Sequence, residues 1–143
     1  MRIPFVRGSV IEHIDLVPSK MVGIGINDRA HAAEMKHALP EEPLEGFDTF
    51  CPIGPRIVAG LDPSNLAIKT RLNGVVNQDS TTADLIFDVP ALIAFVSEHM
   101  TLEPGDVLST GTPSGVGNLA PGDDVAIEIE GIGALRNPVI ARP

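Results

Sequence analysis

The chain has 143 residues, 43% of them hydrophobic, with a mean hydropathy of +0.19, a formal charge of −9 and an isoelectric point near 4.7. That content supplies one folded core and excludes a disordered chain, and ten Lys and Arg against nineteen acidic residues exclude a nucleic-acid binder that works by neutralising phosphates. The lone Cys51 excludes an internal disulfide, and no apolar run reaches membrane-spanning length, so a soluble cytoplasmic protein without a membrane partner is the expectation.

Five Phe and no Trp or Tyr mean that the core has to be aliphatic. Residues 2–5 and 10–16 read as short strands. The run Met-Val-Gly-Ile-Gly-Ile over 21–26 reads as a buried strand with glycines at points of close packing. Asn27 and Asp28 follow as helix-capping residues, because their short side chains accept a backbone N–H. The alanine-rich stretch 29–37 is predicted helical, with Pro40 beyond its end. On that helix His31 and Glu34 are three residues apart and share a face. A carboxylate beside an imidazole fixes its tautomer and raises its basicity, which suits a general base toward water. A surface His–Glu pair is the plainer alternative.

Residues 40–43, Pro-Glu-Glu-Pro, read as a loop, and 51–55, Cys-Pro-Ile-Gly-Pro, as a rigid segment barred from a central strand. A strand over 56–60 and a turn at Asp62-Pro63 precede the clearest local signal. Leu66, Ile68, Thr70 and Leu72 alternate with Ala67, Lys69 and Arg71, then Asn73-Gly74 calls for a type I′ hairpin returning through 75–78. Asp88 before Pro90 opens a helix to about Met100, whose stripe Val89, Leu92, Ile93, Val96 and Met100 is expected to face the core, with His99 at its C-terminal end. Pro104-Gly105-Asp106 leads into a short strand, and the same triplet at Pro121-Gly122-Asp123 leads into the strand carrying Val125, Ile127 and Ile129. Between them lies Thr110-Gly111-Thr112-Pro113-Ser114-Gly115-Val116-Gly117, a stiff loop of backbone N–H groups and threonine hydroxyls suited to a carboxylate or enolate oxygen, with a tight turn in a β-rich fold as the plainer alternative on composition alone. It lacks the Lys of a P-loop. The elements sum to an α+β chain dominated by a mixed or rolled β-sheet with two short helices.

Four segments together resemble the fumarylacetoacetate hydrolase family, in its catalytic domain. They are Val22 to Asn27 with His31 and Glu34; Gly46-Phe47-Asp48-Thr49-Phe50-Cys51-Pro52; Asn73-Gly74 through Asp79, Thr82 and Phe87; and Met100 through the glycine-rich loop to Gly133. The resemblance implies one rolled mixed-sheet domain over 1–143 and a homodimer. It implies Mg²⁺ or Mn²⁺ as cofactor and small 2-oxo or 1,3-dicarbonyl acids as partners, which are hydrolysed, decarboxylated or isomerised. His31 and Glu34 would be the catalytic pair on a lid helix, and Thr110 with the Gly111 backbone would hold the substrate carboxylate.

Three departures accompany that resemblance. The family's Tyr and Asp around the His are absent, because Asn27 is followed by Asp28 and Ala30 precedes His31. Leu44 runs directly into Glu45-Gly46-Phe47, which implies an internal deletion at about 44–46. The section bearing a Glu-x-Glu pair and an Asp, the family's metal ligands, is thereby lost, and Glu45 stands where the family has a lysine. Glu34, Asp48, Asp79 and Asp84 remain, none with that spacing, so no metal ligand is assigned. Unpaired edges and exposed apolar surface should follow, favouring self-association. The competing reading is a non-catalytic remnant acting as a binding or oligomerisation module.

Overall fold

The computed structural model describes residues 1–34 and 51–141. It is α+β with mixed strand pairing, as the sequence predicts. Strands β1 (Arg2–Arg7) and β2 (Val10–Asp15) form an antiparallel hairpin, and β1 pairs in parallel with β4 (Ile57–Ala59). Strand β3 (Met21–Gly23) pairs in parallel with β7 (Val107–Ser109). The largest sheet is antiparallel and comprises β5 (Ala67–Leu72), β6 (Val75–Thr81), β8 (Asp124–Ile129) and β9 (Gly133–Pro138), in the order β6-β5-β8-β9. Helices α1 (Arg29–Glu34) and α2 (Val89–His99) and a 3₁₀ turn at Thr82–Asp84 complete the described elements.

The β5–β6 hairpin forms for the reason its sequence states. Asn73 and Gly74 both take positive φ, 52° and 83°, the backbone of a type I′ turn whose twist matches the strands. Strand β6 continues to Thr81, past the predicted end at Gln78. Its polar residues stay in the ladder because one face meets solvent, where Asp79 lies opposite Lys69 and pairs with it at 2.9 Å. Arg71 faces Val76 while Thr70 faces Gln78, so Asn77 is an extra residue, a bulge in β6.

Two expectations are corrected. Residues 21–26 are not a buried strand: β3 has three residues, Met21 is 44% exposed, and Ile26, at φ 54°, leaves the extended course. That conformation is unfavourable for a β-branched residue. The α2 stripe is also only half core. Asp88 caps the helix by accepting the Ala91 N–H at 2.9 Å, and Leu92 and Val96 are buried, but Ile93 and Met100 are exposed, as are the neighbouring Phe87 and Phe95. Among the described residues nothing lies over that side. Among the described residues the buried hydrophobic side chains are Ile3, Leu16, Leu92 and Val96, while Val10, Ile11 and Val17 are more than half exposed. His99 closes the helix, its Nδ1 2.7 Å from the Phe95 carbonyl. Among the described residues no helix is long and apolar enough to cross a membrane. The predicted helix beyond Glu34, the loop 40–43, the junction at Leu44 and Glu45, and the segment 46–50 with Asp48 lie outside the described residues.

Candidate active site

The site is assembled where β3 and β7 end side by side. Their register, Met21 with Val107 and Gly23 with Ser109, is locked at the entrance by Asp106. Its carboxylate accepts the Ser19 and Lys20 N–H groups, the Ser19 hydroxyl, the Lys20 ammonium at 2.6 Å and the Glu103 N–H at 2.7 Å. The side chain is 4% exposed. The Lys20 ammonium, with the Glu103 N–H next, holds its pKa well below the usual carboxylate range. The far ends of the same two strands release α1 and the glycine-rich loop next to each other.

Asn27 joins the two. It is 1% exposed, and its side-chain amide pairs with the backbone of Phe87 in both directions, at 2.9 and 3.0 Å, while donating to the Thr110 carbonyl at 2.9 Å. With both N–H donors and the oxygen paired, the buried amide avoids the penalty of an unsatisfied polar group. Asp28 is the residue that caps α1, accepting the His31 N–H at 2.8 Å. Gly111, at φ 118°, sits against Asn27, where a Cβ would come within 3.3 Å of the Asn27 Cβ.

His31 and Glu34 meet as their spacing predicts, with His31 Nδ1 3.5 Å from Glu34 Oε2. His31 is buried, and among the described residues its Nδ1 has no hydrogen-bond partner. Glu34 is half-turned toward the loop: both its oxygens accept the Gly115 N–H, at 3.2 and 3.1 Å. Gln78 pins the same loop from the other side, donating from Nε2 to the Thr112 hydroxyl at 3.0 Å and to the Pro113 carbonyl at 2.7 Å. Beside them opens a groove of about 250 Å³, lined by Gln78, Thr112, Gly115, Val116, Leu119 and Ile127 among others. At the root of the same loop the Thr110 carbonyl accepts from the Asn27 amide, and Gly111 lies against Asn27.

Spacing within the sequence exposed the His31–Glu34 pair and the loop, but not Asn27, Gln78 or Asp106 as the residues that bring them together. By sequence Asn27 is a capping residue, and the repeated Pro-Gly-Asp triplet is the available signal for Asp106. Among the described residues no three His, Cys, Asp or Glu side chains cluster to hold a metal ion. Asp79 is paired with Lys69, Asp84 accepts the Ser80 hydroxyl at 3.1 Å, and Asp48 is outside the described residues.

Residues 21–140 match the model of the fumarylacetoacetate hydrolase C-terminal domain. Over 104 residues the chain is 48% identical to the 4-hydroxyphenylacetate degradation bifunctional isomerase/decarboxylase of Salmonella dublin, covering 71% of this chain and 24% of that protein. Its fold superposes on a protein of unassigned function from Mycobacterium abscessus with a TM-score of 0.78 and 33% identity, over 92% of this chain and 82% of that one. The maleylpyruvate hydrolase of Sphingobium sp. SYK-6, solved with manganese(II) and pyruvate, gives a TM-score of 0.63 at 43% identity, over 66% and 37% of the two chains. The chain spans 40%, 50% and 38% of the length of three curated archaeal relatives to which it is 61%, 51% and 57% identical.

Proposed function

The chain belongs to the fumarylacetoacetate hydrolase family, and from that premise we propose that it acts on a small 2-oxo or 1,3-dicarbonyl acid by hydrolysis, decarboxylation or isomerisation. The observation that carries the reading is the position of Glu34, its carboxylate between the buried His31 Nδ1 and the Gly115 N–H of the loop. One carboxylate thus connects a candidate base to a candidate substrate seat. His31 takes a proton from water or substrate through its imidazole, and Glu34 stabilises the imidazolium that results. The loop, with Thr110 and Gly111 at its root and Thr112 and Gly115 on the groove, receives the acid's carboxylate on N–H and hydroxyl donors.

The cofactor proposed for the family's chemistry is Mg²⁺ or Mn²⁺, which polarises the 2-oxo acid when bound. The described residues do not fit such an ion, since no three ligating side chains converge among them, and no step is assigned to it. That same observation favours a second reading, a non-catalytic binding or oligomerisation module. In either reading we take 1–143 as one domain shortened at about 44–46, self-associating as a dimer or larger through exposed side chains such as Phe87, Ile93 and Phe95. A monodisperse monomer in light scattering would count against that association.

The assay that decides offers acylpyruvate and oxaloacetate to the protein with and without Mn²⁺. Turnover that falls by about 100-fold or more in His31→Ala supports the enzyme. No turnover under any condition leaves the module.

A further inference from the structure

The bulge in β6 coincides with the seat of the glycine-rich loop. Asn77, the residue with no partner across the ladder, turns its carbonyl toward Gly115, and a Cβ at Gly115 would collide with that oxygen. The next residue, Gln78, supplies the two donors that hold Thr112 and Pro113, and its Cγ lies 3.2 Å from where the Gly115 Cβ would be. Pro113 is buried at this contact. Two residues further on, the Gly115 N–H points at Glu34, 81 positions away in the chain. The loop therefore reaches Glu34 from a platform that β6 builds, and Gln78 is the side chain that ties it there.

We propose that Gln78 is a positioning residue for the His31–Glu34 pair: by donating to Thr112 and Pro113 it holds the Gly115 N–H on Glu34, and so sets how that carboxylate faces His31. The inference deepens the functional reading above and rests on it for its catalytic meaning, though its geometry stands without turnover. The requirement is for a donor at position 78, not for a side chain of that shape. An acid there would set a charge against the Pro113 carbonyl and free the loop. A lysine would restore a donor.

The test follows the Gly115 amide by NMR and hydrogen exchange in the full chain, with Glu34→Gln marking where its resonance lies once the carboxylate is lost. In Gln78→Glu the Gly115 amide is expected to move to the Glu34→Gln position and to exchange about tenfold faster, the factor for losing one charge-assisted hydrogen bond. The amides of β5 and β6 stay in place, and Gln78→Lys returns Gly115 toward its original position. A Gly115 signal unchanged in Gln78→Glu overturns the proposal. So does movement of the whole β5–β6 hairpin with it, which makes Gln78 a general structural residue, and so does failure of Gln78→Lys to restore the signal. None of these readouts needs catalysis, so an inactive protein with a coupled Gly115 would refute the enzyme reading and leave this one intact.

Discussion

Glu103-Pro104-Gly105-Asp106 and Ala120-Pro121-Gly122-Asp123 enter β7 and β8 through the same turn. Each has Pro second and a glycine third, at φ 97° and 99°, and in each the Asp N–H bonds to the carbonyl of the first residue at 3.0 Å. Each Asp carboxylate also accepts the N–H of that first residue at 2.7 Å. Beyond this shared core they diverge. Asp106 is met by Ser19 and Lys20 and fixes the β3–β7 register under the candidate active site, whereas Asp123 is met by the Asn73 amide at 2.8 Å and ties the β5–β6 turn to β8. The triplet determines the local backbone. What the turn carries depends on which groups the fold brings within reach of its acid.

The largest effect should come from removing the two acids. Asp106→Ala is expected to lower the urea midpoint at least about twice as far as Asp123→Ala, because it strands more donors and unlocks two strands. Equal losses would reduce both residues to turn formers. Both carboxylates are held below their ordinary pKa of 3.8, Asp106 by Lys20 first and Asp123 by the Ala120 N–H first. A depressed carboxylate contributes stability that is full above its unfolded pKa and is lost as pH falls through its folded one. The stability gap between wild type and Asp106→Asn should therefore be complete above about pH 5 and shrink progressively below 3.8, a difference readable from urea titrations in steps of pH.

An intermediate effect, and an equal one, is expected from the two glycines. A Cβ at Gly122 meets nothing within 4 Å and one at Gly105 meets Leu16 and Val17 at ordinary contact distance, so alanine at either pays only for positive φ. Each should cost about 1 to 2 kcal/mol by chemical denaturation. A much larger loss at Gly105 would place the difference between the turns in their backbones. The smallest effect belongs to Asn73→Gly, which keeps the positive-φ turn while deleting the Asn73 bonds to Asp123 and the Asp124 N–H. A loss of about 0.5 to 1.5 kcal/mol is expected.

These turns also show where reading a sequence succeeds. Asn73-Gly74, Asp88 before Pro90 and Pro-Gly-Asp act through neighbours one to four positions away, and each forms what it spells. His31 and Glu34 are legible for the same reason, since a helix brings i and i+3 together. The bulge at Asn77 is not legible, because it is fixed by a loop more than thirty positions later. The burden on Asp106 is illegible too: Ser19 and Lys20 are 87 and 86 residues away. The α2 stripe failed in a different way. Its periodicity was correct, but periodicity states which residues want cover, not whether cover is present, and Ile93 and Met100 have none among the described residues.

Asn27 has a consequence for how the molecule opens. Its side chain holds Phe87 and Thr110, and its own carbonyl accepts the Ile86 N–H at 2.9 Å. The entry to α1, the approach to α2 and the root of the glycine-rich loop are therefore not three independently fraying segments. None can leave without breaking a hydrogen bond that runs through Asn27, so the three are expected to open together and to share one level of protection from solvent exchange.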